Sequence, residues 1–174
     1  MNSKLFFNSI FELLSAMVIA ILILYCVYKI FKSWLIKRYN MESDSLTLNI
    51  IISAILFSAG YLISAAILPL HTTIKTLSTL SLNRSVFIWE CFKYILLFLI
   101  LGFIVTVISS FITLMLFNSI TKNVDEIEEA GKGKIGYSVL MAVLVIVITL
   151  FVREPFINIL ESMIPYPDLP FMPK

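Results

Sequence analysis

Residues 94–121 read YILLFLILGFIVTVISSFITLMLFNSIT, a stretch between Lys93 and Lys122 without one charged side chain. As an α-helix at ~1.5 Å per residue, this run is about 42 Å long. A bilayer core is ~30 Å thick and needs about 20 apolar helical residues. A run of this length and character is a membrane-crossing helix, predicted here at about 94–119.

Three more charge-free runs flank it. Leu13 to Tyr28 lies between Glu12 and Lys29, Ser45 to Ile74 between Asp44 and Lys75, and Ile135 to Val152 between Lys134 and Arg153. They place further helices at about 9–31, 48–70 and 135–152. The last run is the shortest, long enough for one crossing with snorkelling ends. Composition agrees with this reading. Hydrophobic residues make up 60% of the chain and charged residues 14%, against roughly 45–50% and 25% in soluble domains. Disorder is excluded by the same apolarity. A net charge of +2 gives no electrostatic hold on nucleic acid. Two cysteines and one histidine support neither a disulfide framework nor a standard zinc site. The expected fold is an all-α integral membrane protein with four transmembrane helices in one domain, 1–174. Loops are expected at about 32–47 and 120–134.

Lys4 before an apolar run resembles a secretory signal, but Glu12 stands where the hydrophobic region should begin, so the helix is expected to be retained. Lys29, Lys32, Lys37 and Arg38 follow the first helix, and Lys122, Lys132 and Lys134 follow the third. Basic residues close to helix ends favour the cytoplasm. Both termini are therefore expected outside.

The second and fourth helices begin alike, Asn49-Ile50-Ile51-Ile52-Ser53-Ala54 against Lys134-Ile135-Gly136-Tyr137-Ser138-Val139, and each ends near a proline, Pro69 and Pro155. Two pseudo-repeated helical hairpins are expected, related by an axis along the membrane normal. The linker Ile120-Thr121-Lys122-Asn123-Val124-Asp125-Glu126-Ile127-Glu128-Glu129-Ala130-Gly131-Lys132-Gly133, with Asn49 in the first half, resembles the linker of the YjfL-like family. These are small bacterial inner-membrane proteins of unknown function, built from two paired-helix repeats. The resemblance spans helices two to four. It implies a multi-pass protein of the bacterial inner membrane and no particular chemistry.

Polar residues inside a bilayer need internal partners, so they report which faces meet protein. Asn49, Ser53, Gly60 and Ser64 share one face of the second helix. Gly102, Thr106, Ser109, Ser110 and Thr113 share one face of the third, and Ser138, Ala142 and Thr149 one of the fourth. Close helix packing is the expected role, with a hydroxyl-lined pathway as the alternative. Glu12 and Glu90 are carboxylates near the outer face, Glu90 having Lys93 as an i, i+3 partner. Asp125, Glu126, Glu128 and Glu129 lack the alternating oxygens and central glycine of a calcium loop. They are expected instead on a short amphipathic helix capped by Thr121 or Asn123 and ended by Gly131. With the basic, aromatic segment containing Lys37 and Arg38, they are candidates for docking a soluble cytoplasmic protein. Residues 153–174 are expected to form a short interfacial C-terminal helix with a Pro-rich end.

No nucleophile elbow, phosphate loop or zinc-helix motif occurs, and His71 stands without a second histidine. No cofactor, metal or catalytic residue is expected. The expected function is a non-enzymatic component that forms a homo-oligomer, a dimer or tetramer, and couples to a soluble partner, with envelope stress or defence as its setting. The alternative is an ion-conducting channel, and a small-solute transporter stands behind both.

Overall fold

A computed structural model describes residues 3–39, 41–79, 83–120 and 126–165. Six helices follow one another: α1 (Ser3–Tyr39), α2 (Leu46–Ala65), α3 (Ile67–Thr79), α4 (Arg84–Ile120), α5 (Glu126–Gly131) and α6 (Ile135–Ser162). No strand occurs among the described residues. Three stretches are long and apolar enough to cross a membrane: Leu46–Ser78, Ser85–Phe117 and Ile135–Ser162. The protein is thus an all-helical, multi-pass membrane protein. The first expected span falls within α1, whose side chains before Met17 lie outside the described part.

Several helices overrun the expected boundaries, each for a packing reason. The segment expected as a loop from residue 32 is helical to Tyr39. Val27, Phe31 and Leu35, spaced by four, are buried there and extend the apolar contact by two turns. Lys37 and Arg38 sit in the last turn of α1, where cations suit the helix dipole. The helix α2 is capped by Ser45, whose hydroxyl accepts the Leu48 N–H at 3.3 Å.

The expected second helix is broken. Pro69, having no N–H, cannot donate to the carbonyl of Ala65, and the chain tightens there. Ala66 N–H donates to the Ile63 carbonyl at 3.1 Å, and α3 resumes at Ile67. Pro155 does the opposite. It lies inside α6, which runs unbroken to Ser162. The tail expected as a separate interfacial helix is therefore, through Ser162, the last turns of α6. Buried Phe156 and Leu160 hold those turns in line.

Half of the most apolar window of α2–α3 is buried inside the protein, against 28% in α4 and in α6. This makes α2 the central helix. Two cores stack along it. One joins Val27, Phe31 and Leu35 of α1 to Leu48, Ile51 and Ile55 of α2, with Leu114, Met141 and Val145 from α4 and α6; Ile127 and Ala130 of α5 cap it. The other joins Leu62, Ala65 and Ala66 to Phe98, Phe156 and Leu160. Early α2 meets early α6 and late α2 meets late α6, so these two helices run in the same direction.

Candidate functional site

The interior is a neutral hydroxyl seam. Among the described residues every buried polar side chain is a serine or threonine. On α4, Thr106 donates to the Gly102 carbonyl at 2.8 Å, Ser109 to Thr106 at 3.2 Å and Thr113 to Ser109 at 2.7 Å. Thr149 of α6 donates to Val145 at 2.7 Å. Returning the hydroxyl to its own helix satisfies it locally, and the small side chains let neighbouring helices approach. A Cβ on Gly102 would lie 3.6 Å from the Phe156 ring, an ordinary van der Waals contact, so that ring packs close to the α4 backbone there. Ser58, Ser110 and Ser138, one on each of α2, α4 and α6, are buried with no hydrogen-bond partner for their hydroxyls. Neutral hydroxyls turned to their own backbone suit packing.

On the second helix the expected packing face is turned away from the protomer's own core. Asn49, Ser53 and Ser64 are exposed, and Gly60 is half-buried with nothing within 4 Å of an added Cβ. Spaced 4, 7 and 4 residues apart, they form one column on the outside of α2, shared with exposed Phe57, rather than a contact inside the protomer. The burial falls instead on Thr47, Leu48, Ile51, Ile55, Ser58 and Leu62. The reason is that apolar residues surround most of α2, so hydropathy alone leaves its inward face undecided. Packing against α1 and α6 selects the more aliphatic side. On α4, by contrast, Ile100, Ile104, Ile108 and Ile112 face outward. Val139, Val143, Val147 and Leu150 do so on α6.

The charged candidates resolve differently. Asp125 lies outside the described residues, and Glu12 and Glu126 are described in backbone only. Glu90 pairs with Lys93 at 2.6 Å, both partly exposed. Glu128 pairs with Lys132 at 3.1 Å, while Glu129 bonds Lys132 at 2.9 Å and also Lys134. The Lys134 ammonium, then that of Lys132, holds the Glu129 carboxyl below its usual range. Glu129 in turn raises both ammonium groups. This network ties the α5–α6 corner, where Gly133 takes φ +88°, a conformation natural to glycine. An added Cβ on Gly131 would meet the Tyr39 carbonyl at 3.2 Å, so α5 sits tightly against the end of α1. Glu129 is consequently occupied within the chain. Lys37 and Arg38, in the last turn of α1, remain exposed.

Sequence reading missed two features. The Lys134–Glu129 contact spans a turn with no helical spacing to signal it. The other is an apolar cleft between α1 and α4, of about 320 Å³. Phe31 meets Phe111 at a tilt and Trp34 meets it edge-on, both with ring centroids 4.8 Å apart, and away from those rings the two helices part.

No family model, curated protein or solved structure matches the chain.

Proposed function

We propose that this chain is a non-enzymatic building block of a homo-oligomer in the bacterial inner membrane, and that it docks a soluble partner at its α5 end. The observation that carries the reading is the outward column of α2. In lipid, an exposed asparagine or serine gains from a partner helix, and a glycine permits close approach of backbones. The side chains of Asn49 and Ser53 make no hydrogen bond among the described residues, whereas the outward columns of α4 and α6 are branched aliphatics fit for acyl chains. A second copy laid along α2 supplies the missing partners, and a two-fold axis makes the contact self-complementary.

In this reading the protomer has four spans, with α1 as the first. Both termini lie outside, and two hairpins, α1–α2 and α4–α6, are related by an axis along the membrane normal. The common direction of α2 and α6 supports that arrangement. The α5 end then faces the cytoplasm, and exposed Lys37 and Arg38 become the docking charges in preference to Glu129. Envelope stress or defence is the proposed setting.

The test is disulfide trapping in native membranes. In a chain carrying Cys26→Ser and Cys91→Ser, Ser53→Cys is expected to give a cross-linked dimer on mild oxidation, and Ile108→Cys on α4 is not. Equal trapping at both positions, or none at Ser53→Cys, would count against the assembly. For the partner, Lys37→Glu with Arg38→Glu is expected to abolish co-purification of a cytoplasmic protein while the dimer persists.

The channel reading has one observation in its favour once the hydroxyls of α4 are set aside. The hydroxyls and amide of the α2 column would line any passage formed between copies. It predicts that Ser53→Leu blocks current through reconstituted protein while assembly persists.

A further inference from the structure

We infer that the cleft between α1 and α4 is a binding site for one acyl chain of a zwitterionic phospholipid. Its lining is wholly apolar and includes Leu22 and Cys26 from α1 with Phe92, Leu96, Ile100 and Phe103 from α4. With no polar atom in the wall, water gains nothing by entering. The cleft follows α4 from Phe92 to Phe103, twelve residues, or roughly 16 Å from first to last. That is an elongated shape suited to a hydrocarbon chain. Leu22, Cys26, Phe92, Leu96 and Ile100 are all exposed along its rim. The opening is therefore continuous with the outward aliphatic column of α4, and a chain can enter sideways without passing a polar group.

Charge at one end chooses the headgroup. One turn of α4 carries Glu90 and Lys93, 2.6 Å apart and both open to solvent. At ~100° per residue, Lys93 lies about 20° from Ile100, at the edge of the lining face. Trp89, stacked on Phe92 with ring centroids 6.1 Å apart, lies over the same end. Aromatic rings and an ammonium at that position match the interfacial level of a bilayer. An ammonium beside a carboxylate is complementary to a headgroup that itself carries a phosphate and an ammonium. A second copy is the poorer occupant. No residue of the small, polar column of α2 lines the cleft, and its rim is built of bulky side chains that keep backbones apart.

The experiment uses the full chain in nanodiscs of phosphatidylethanolamine and phosphatidylglycerol, extracted in mild detergent and weighed intact by native mass spectrometry. One phosphatidylethanolamine per protomer is expected to survive extraction. Ile100→Trp, which fills the cleft, is expected to lower that retention by about tenfold, with Leu140→Trp on the exposed face of α6 as an unchanged control. Lys93→Glu is expected to lower it less, because the chain contact remains. No retained phospholipid, equal loss in the Leu140→Trp control, or oleate retained in preference to phospholipid would overturn the assignment. So would dissociation of an oligomer by Ile100→Trp, which would give the cleft to a second copy. A measurement free of cleft variants uses Cys26 as reporter in a Cys91→Ser chain. Its alkylation in detergent is expected to slow severalfold on adding phosphatidylethanolamine, and an unchanged rate counts against the site.

Discussion

Two outward faces of one bundle differ in kind. On α4 the exposed column is Ile100, Ile104, Ile108 and Ile112; on α2 it is Asn49, Ser53, half-buried Gly60 and Ser64, with exposed Phe57 set among them. Both helices lie in stretches apolar enough to cross a membrane, so average hydropathy does not separate them. The difference lies in what each face offers a neighbour. Branched aliphatics offer area to lipid chains and nothing to hydrogen-bond. Small polar residues offer little area to lipid but allow backbone approach and interhelical bonds. The same membrane would solvate the first face and leave the second short of partners. Apolar character decides whether a helix enters the bilayer, and the column that points outward decides whether it stays alone there.

The contrast holds only if the protomer stands on its inward faces. Its largest test is therefore at Phe156, buried beside Gly102 and in one core with Leu62 and Phe98. Phe156→Ala is expected to cost about 3–5 kcal/mol in reversible unfolding from mixed micelles. Phe151→Ala, at a side chain 77% exposed, should change stability by less than about 0.5 kcal/mol. Equal costs would mean that α6 does not pack as described. Next in size, Ile108→Asp puts a carboxylate on the aliphatic column of α4. The expected penalty is about 2.5–3.5 kcal/mol, read as lost insertion in a glycosylation-mapping assay.

A smaller effect is expected on the other face. Gly60→Leu should leave the protomer folded, since nothing lies within 4 Å of the added Cβ, while weakening assembly by roughly 1–2 kcal/mol. Analytical ultracentrifugation in detergent would read it, and unchanged assembly would make the α2 column a lipid face after all. The smallest effect concerns the α5 corner. The carboxyl of Glu129 is held low by Lys134 and Lys132, so its contribution is full above the ordinary carboxylate range and fades as pH falls through the lowered value. Hydrogen exchange at α5 should therefore rise below about pH 4, and Glu129→Gln should remove that dependence.

Much of the architecture was legible in the chain. Charges bracketing apolar runs pointed to membrane helices, and three stretches long and apolar enough to cross are found. The expected second helix ran on to about residue 70, whereas the break falls at Ala66 and Pro69 lies in the first turn of α3. The hydroxyls of α4 were read as buried and are buried. Other features were not legible because they depend on remote neighbours. Pro155 looks like Pro69 in sequence, yet α6 continues through it because Phe156 and Leu160 find Leu62, Ala65 and Phe98 to pack on. The acidic run looked like an open docking surface. Within the chain Glu128 and Glu129 are paired with Lys132, and Glu129 also with Lys134 across a turn built on Gly133.

The sequence by itself determined that this is a helical membrane protein and roughly where its helices run. Those properties follow from hydropathy and charge, which belong to residues taken locally. Only the tertiary structure decided that the polar column of α2 faces outward, that Glu129 is bound within the chain, and that α1 and α4 part to leave an apolar cleft. Each of those is set by which surfaces meet, and an apolar helix presents several surfaces of nearly equal hydropathy.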